Sequence, residues 1–418
     1  MESNRKLNRS IIAGAAGNVM EWFDFAVYGF FAPIIGQQFF PNEDPVASLL
    51  AAFTVFASGF LARPFGAAFF GHLGDRYSRK IVLRASVYLM GIATVLLGLL
   101  PPYASIGVAA PILLTVLRIA QGFSVGGEYT GSIVYLVERA PAGKRGFVGG
   151  WTNFGAVAGF LLGSAMGALI SFFCSPDALA SWGWRIPFLL GVSIAAMAAF
   201  FRKDLDENPP APIEGHQFPL VESVKTQWRT MLRICGIILM GNVGFYMMFV
   251  YVTTFLSQEI GVPMAEALEI NTFSMSALLL VVPIAGWLSD RVGRKPVLLT
   301  ASVGCFFLAL PLFFAIQHDN AFLIFAGQVG FAIILGLSFG PNAAVLVEIT
   351  EARLRCTTIS VSYNLTLAIF GGTTPIVASW LIHQTSETFT PAYYVMVMAA
   401  VTALVVSRLP ETAHQKLQ

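Results

Sequence analysis

Gly71-His-Leu-Gly-Asp75-Arg76-Tyr-Ser-Arg79-Lys80 and Gly286-Trp-Leu-Ser-Asp290-Arg291-Val-Gly-Arg294-Lys295 are two renderings of one loop. Each follows directly on an apolar run long enough to cross a bilayer. A second pair keeps the same order, since Val137-Glu138 precedes Arg145 as Val347-Glu348 precedes Arg355. Two matches, in order and in equivalent loops, mark an internal duplication. Apolar runs of about 20 residues, the length a helix needs to cross the hydrocarbon core, recur on both sides of each copy. The fold read from this pattern is all-α and integral to the membrane, with about twelve transmembrane helices in two pseudo-symmetric six-helix bundles.

Composition agrees with lipid rather than water as the solvent. Of 418 residues, 56% are hydrophobic and 11% charged, and the mean hydropathy is +0.71. An ordinary soluble domain is about a quarter charged. The net charge of +2 argues against a nucleic-acid partner. Cys174, Cys235, Cys305 and Cys356 have neither disulfide-framework nor metal-ligand spacing, so no metal or other cofactor is expected. The basic start, MESNRKLNRS, leads into an apolar stretch that holds Glu21 and Asp24 and offers no cleavage site, so no leader is expected to be removed.

Apolar runs between turn signals place spans near 10–36, 47–74, 81–100, 107–138, 147–173 and 185–202, then near 229–257, 264–289, 296–316, 320–348, 355–384 and 390–408. The stretch DLDENPPAPIEG has the composition of a linker. The organisation predicted is a first bundle over 1–202, a cytoplasmic linker over 203–228 and a second bundle over 229–418. Lys and Arg fall in the N-terminus, the 76–84 and 139–145 loops, the linker region, the 291–295 and 353–355 loops and the tail, while the alternate loops have none. By the positive-inside rule both termini are cytoplasmic.

The duplicated Gly-x-x-x-Asp-Arg-x-Gly-Arg-Lys loop resembles the hallmark of the major facilitator superfamily, over essentially the whole chain. Within it, Gly17-Asn18-x-x-Glu21-Trp22-Phe23-Asp24-Phe25, Arg63-Pro64-x-Gly66, Arg118-x-x-Gln121-Gly122-Phe123-Ser124-x-Gly126-Gly127-Glu128 and Trp182-Gly-Trp184-Arg185-Ile-Pro187-Phe188 resemble the metabolite:proton symporter branch. Gly126-Gly-Glu-Tyr-Thr-Gly131, Lys144-Arg-Gly-Phe147 and Pro391-Ala-Tyr-Tyr394 are similar to its proline and glycine-betaine carriers, whose cousins carry citrate and 2-oxoglutarate. The resemblance implies a multi-pass protein of a bacterial inner membrane that imports a small zwitterionic or anionic metabolite with protons. It implies no obligate protein partner. Ser78 departs from the pattern, which has Gly there, and the coiled-coil extension of osmosensing betaine carriers is not matched, so osmotic gating through such a tail is not expected.

Charges inside a span cost several kcal/mol and default to function. Glu21 and Asp24 in the first span, Arg63 in the second, and Arg118 and Glu128 in the fourth are the candidates, and the second half has none at mid-span. At 1.5 Å per residue, Glu21 and Asp24 lie about 16 to 21 Å into the first helix and Arg118 about 16 Å into the fourth, near the midplane. Glu21, Asp24 and Glu128 are therefore candidate proton carriers, and Arg118 is the candidate anchor for a substrate carboxylate. A purely structural charge network is the alternative, and Arg63 reads as a structural partner near the cytoplasmic end. Asn18, Glu21, Phe25 and Tyr28 share a helical face, as do Arg118, Gln121, Val125 and Glu128. Ring faces attract a quaternary ammonium, which adds Trp22, Phe25, Tyr28, Tyr129, Tyr246, Tyr251 and Tyr363, and Asn242, Asn271 and Asn364 offer uncharged contacts from the second half or else interhelical hydrogen bonds. Packing is the alternative role for each of these.

Asp75 and Asp290 are placed to accept hydrogen bonds from helix N-termini in the opposite half, a cytoplasmic gate to which Arg76, Arg79, Glu138, Arg145, Arg291, Arg294, Glu348 and Arg355 would add ion pairs. Gly155, Gly159, Gly163 and Gly167 form a smooth strip for close helix packing. No nucleotide-binding loop occurs, and the five His lie at or beyond span ends, so neither a pump nor an enzyme is indicated.

Overall fold

A computed structural model describes residues 2–76, 79–191, 193, 219–413 and 415–417, with side chains described outside 2–14, 16, 71–84, 87 and 219. No strand occurs among the described residues. Nine of their helices are long and apolar enough to cross a membrane. In the first half the principal helices are α1 (Glu2–Phe30), α2 (Ala32–Phe39), α3 (Pro45–Arg76), α4 (Arg79–Leu99), α5 (Ala109–Ser124), α6 (Glu128–Arg139) and α7 (Arg145–Phe173). In the second half they are α8 (Trp228–Tyr246), α9 (Met264–Val292), α10 (Arg294–Ile316), α11 (Ala321–Glu348), α12 (Arg355–Thr366), α13 (Thr374–Thr385) and α14 (Thr390–Ser407).

The helices fall where the apolar runs place them, with local departures. The first span is a pair, α1 and α2, bent by 64° where Pro33 enters the first turn of α2 and supplies no N–H to continue the helix. The third span is a shorter apolar helix, Tyr88–Leu99. The fourth is interrupted between α5 and α6 at Gly126-Gly127. The sixth is helical over 186–191 and then leaves the described residues, as does most of the linker. Residues Pro219–Thr226 of that linker form a short helix, held by a Glu222–Arg353 ion pair of 2.8 Å. Two spans of the second half contain π-helical turns, Met247–Tyr251 and Leu256–Ile260 after α8 and Leu367–Gly371 after α12, a local widening that recurs at functional sites.

Glycine sets how closely the helices meet. The strip on α7 receives α1: a Cβ on Gly159 would lie 2.5 Å from the Val19 carbonyl oxygen. In the same way α3 and α5 touch backbone to backbone, and a Cβ on Gly122 would lie 1.7 Å from the Gly59 carbonyl oxygen. The two halves meet along α7 and α9 and along α1 and the π turn after α8. On the face with the Lys- and Arg-rich loops, hereafter the basic face, Gly146 and Gly286 abut. Toward the opposite face Ser164 donates to the Leu268 carbonyl at 3.2 Å and receives from Asn271 at 3.1 Å and Thr272 at 2.8 Å. The halves are closed on both sides, so the conformation is occluded.

Candidate functional site

The charges that the sequence places in the spans form two buried pairs. Arg63 on α3 donates through Nη2 to Glu21 Oε1 on α1, and Arg118 on α5 donates through Nη1 to Asp24 Oδ2 at 3.4 Å. All four side chains are buried. Arg118 also donates to Gln121 Oε1 at 2.8 Å and lies over the rings of Phe25 at 4.4 Å and Tyr28 at 4.5 Å. Arg63 lies over Trp22 at 4.9 Å and donates through Nε to Asn364 Oδ1 on α12, across the two halves, at 3.2 Å. Arg63 thus sits in the middle of the molecule and not at an end. Removing one partner of such a pair strands a buried charge, at a cost of about 3–5 kcal/mol, so the pairs form units that respond together.

Beside the pairs, between the halves, lies a cavity of about 30 Å³, room for about one water molecule. Trp22 of α1, Tyr129 of α6 and Phe160 of α7 face Phe245 and Tyr246 of α8 and Tyr363 of α12 across it. The rings interlock edge to face: Trp22 meets Tyr129 with centroids 5.7 Å apart at 85°, and Phe160 meets Phe245 at 4.7 Å and 78°. Asn153, Asn242, Phe339 and Leu367 complete the polar and apolar wall, which carries no charged side chain. The Trp22 indole N–H, the Asn242 amide nitrogen and the Tyr246 hydroxyl have no hydrogen-bond partner. The wall therefore offers ring faces to a cation and unmatched donors to an acceptor.

Of the residues named from sequence, Trp22, Tyr129, Asn242, Tyr246 and Tyr363 line the cavity. The others lie elsewhere. Asn18 ties α1 to Ser132 of α6 and to the Thr152 carbonyl of α7, both at 3.2 Å. Phe25, Tyr28 and Gln121 enclose Arg118, Tyr28 donating to the Ala52 carbonyl at 3.1 Å. Tyr251 packs against Phe53 and Phe255. Glu128 is half-buried at the first turn of α6, where the helix dipole favours an acid. Asn153, Phe160, Phe245 and Phe339 escaped sequence reasoning. Asn153 had a legible signal, an amide in an apolar span at helical spacing from Phe160. Its Nδ2 donates to the Phe339 carbonyl across the halves at 2.8 Å.

At the basic face Asp290 of α9 accepts from the backbone N–H groups of Gly146 and Phe147, both at 2.8 Å, at the N-terminus of α7 in the opposite half. Arg294 holds the same carboxylate at 2.8 Å and reaches Glu348 at 3.2 Å, Arg145 approaches Glu348 at 3.8 Å, and Arg355 pairs with Glu138 across the halves at 2.6 Å. Gly146 and Gly286 permit this approach, since a Cβ on Gly286 would lie 2.5 Å from the Gly146 carbonyl oxygen. Arg291 is not part of the cluster; it is exposed and lies over Trp287 at 4.1 Å. The Asp75, Arg76 and Arg79 side chains lie outside those described. A further contributor comes from the tail. The Glu411 carboxylate accepts from the backbone N–H groups of Arg294 at 2.8 Å and Lys295 at 3.1 Å, Thr412 donates to Glu348 at 2.7 Å, and Arg145 donates to the Gln415 carbonyl at 2.8 Å. Burial pushes the Glu411 carboxyl up, but these donors, with Thr412 and Ala413, hold it below the ordinary glutamate value.

Comparison with known proteins matches the model of the sugar (and other) transporter family to residues 10–210 and 214–418. The glycine betaine/proline/ectoine/pipecolic acid transporter OusA of Dickeya dadantii is 39% identical, over 99% of this chain and 85% of its own. The proline/betaine transporter of Salmonella typhimurium is 38% identical with the same coverage. Among solved structures, the major facilitator superfamily proton:xylose symporter XylE superposes with a TM-score of 0.78 at 17% identity, over 99% of this chain and 98% of that one.

Proposed function

Because this chain belongs to the sugar (and other) transporter family, we propose that it imports a small zwitterionic solute of the proline and betaine class together with protons, by alternating access between its two halves. The observation that carries the reading is the cavity at their meeting, walled by aromatic faces and unmatched hydrogen-bond donors. A quaternary or secondary ammonium is stabilised over ring faces, and the donors suit a carboxylate. The naming of relatives as proline and betaine transporters supports the same class. A di- or tricarboxylate, the alternative substrate, brings two or three anionic groups and no cation to place over the ring faces.

Proton coupling falls to Asp24 and Arg118, the pair packed against Phe25 and Tyr28 rather than against the wall residue Trp22. A proton on Asp24 neutralises its attraction to Arg118, which retains Gln121 and the rings of Phe25 and Tyr28. Charge neutralisation in a desolvated pair changes how tightly α1 and α5 are held, which is how occupancy by a proton is read by the helices. Closure at the basic face by Asp290, Arg294, Glu348, Arg145 and the Glu138–Arg355 pair is the gate of this cycle, and the basic loops support a cytoplasmic position for that gate and both termini, in a bacterial inner membrane.

The test is uptake of labelled glycine betaine by proteoliposomes under an imposed pH gradient. Accumulation is expected, competed by proline and betaine but not by citrate or 2-oxoglutarate, and abolished by a protonophore. Accumulation that survives the protonophore and follows sodium refutes the proton assignment, and competition by citrate refutes the substrate class.

A further inference from the structure

We propose that Arg63, and not Arg118, takes the substrate's carboxylate, and that this engagement releases Asn364, through which Arg63 ties the two halves together. The inference rests on the zwitterion reading above and names the residue that recognises the zwitterion's anionic end.

Position separates the two arginines. The Arg63 guanidinium is one ring from the cavity, behind Trp22, whose own indole forms the wall. Arg118 is packed on Phe25 and Tyr28, neither of which lines the cavity. Hydrogen-bond inventory points the same way. Both arginines keep unmatched nitrogens, Nε and Nη2 on Arg118 and Nη1 on Arg63, so what counts is which other unmatched donors lie beside them; Arg63 uses Nη2 on Glu21 and Nε on Asn364. The Trp22 indole N–H beside it is also unmatched, and so are the Asn242 amide and the Tyr246 hydroxyl on the facing half. A carboxylate brings two oxygens and about four acceptor sites, enough for a guanidinium edge and an indole N–H together. Its partner charge, an ammonium a few bonds away, then falls among the rings of Tyr129, Phe160 and Tyr246.

Asn364 is what such a carboxylate displaces. Its Oδ1 accepts from Arg63 and its Nδ2 donates to the Gly126 carbonyl at 2.7 Å, so one buried amide of the second half holds α3 and the α5–α6 junction of the first. It follows Tyr363, a wall residue, and precedes the π turn Leu367–Gly371, where Leu367 is again a wall residue. When a carboxylate takes the Nε–Nη2 edge of Arg63 and Glu21 shifts toward the open Nη1, the amide loses its charged donor and α12 is freed at the point where its ladder is already widened. Occupancy of the cavity is thereby converted into a loosened contact between the halves. A ligand with the cation alone fills the ring cage and leaves the clasp shut.

The experiment compares binding of glycine betaine with that of choline, which keeps the trimethylammonium group and lacks the carboxylate, by calorimetric titration of the purified full-length protein. In the wild type betaine is expected to bind at least about tenfold more tightly than choline, the size of a charge-assisted contact in a desolvated site. The double variant Glu21→Gln/Arg63→Gln leaves no charge stranded; it is expected to lose about that factor for betaine and to hold choline within about twofold, so the preference collapses. Asn364→Ala is expected to keep the preference, with betaine affinity equal or higher because no clasp has to open. Should the double variant not fold, Arg63→Lys retains the charge without the two-pronged edge and is expected to weaken betaine alone. A folded double variant, or Arg63→Lys, that keeps the wild-type preference overturns the assignment to Arg63 and leaves the transport reading standing. A wild type that binds neither proline, betaine nor choline overturns that reading and this one with it.

Discussion

Replacing Asp290 by Asn tests the closure of the basic face where it is best defined. In the occluded form the carboxylate accepts from two backbone N–H groups of the opposite half and from Arg294 of its own, each at 2.8 Å. The bond to Arg294 lies within the second half and persists when the halves part, so only the two bonds to Gly146 and Phe147 bias the equilibrium. Asparagine keeps one acceptor oxygen and turns an N–H₂ toward the other backbone N–H, removing one charge-assisted bond and weakening the second. A hydrogen bond to a charged group contributes about 1.5–3 kcal/mol, and the loss of charge at a helix N-terminus adds about 0.3–1 kcal/mol. With residual attraction through the remaining oxygen, the closed form is destabilised by about 2–3 kcal/mol, a shift of roughly 30- to 150-fold. A protein closed about 99 times in 100 would then be open in a large fraction of molecules. Spin labels at Ala142 and Ala352, exposed positions on the basic face of opposite halves, report this as a longer-distance population in pulsed electron resonance. An Asp290→Asn protein with wild-type melting temperature and an unchanged distance distribution refutes the reasoning.

Other outcomes follow from the same geometry. Gly159→Val places a Cβ 2.5 Å from the Val19 carbonyl and 2.9 Å from the Phe23 nitrogen, so α1 must move; overpacking of this kind costs about 1–3 kcal/mol or more, read as a lowered melting temperature, whereas Gly304→Ala, with nothing within 4 Å, should leave it unchanged. Asp24→Asn should retain substrate exchange in counterflow while losing accumulation driven by a pH gradient; accumulation at the wild-type level shows that Asp24 is not the coupling acid. The Glu411 carboxyl is held below its ordinary value in the folded protein, so its contribution is complete above the unfolded-state value and is lost as pH falls through the lowered folded one. The melting-temperature gap between wild type and Glu411→Gln should accordingly be widest near neutrality and close in acid, and a gap that grows in acid contradicts the capping geometry.

The positions of the helices were legible because hydropathy and loop charge act over whole segments, and Asp290 because duplication marks its loop twice. Arg63 was misjudged for a geometric reason. Counting along the run from its start puts this residue near the far end of a bilayer-length helix, but α3 has 32 residues, about 48 Å of helix against a hydrocarbon core of about 30 Å. Arg118 shows a different limit. Helical spacing correctly groups it with Gln121 on one face, yet periodicity tells which residues share a face and not what the face meets, and here it meets Phe25 and Tyr28 of α1. Neither the interruption at Gly126-Gly127 nor the π turns has a sequence period of its own; both answer to packing. The docking of Glu411 on the start of α10 joins segments far apart in the chain through backbone donors, and backbone donors leave no mark on composition.

The abutment of Gly146 and Gly286 makes the basic side a hard mechanical stop. Side chains that meet across a seam yield by changing rotamer, so a closure built from them is compliant and its end point drifts with whatever is enclosed. Two peptide backbones in contact have no such give. Closure there ends at one fixed separation of α7 and α9, whatever occupies the centre, and the slack needed to enclose solutes of different bulk must come from the aromatic cage and from the π turns beyond it.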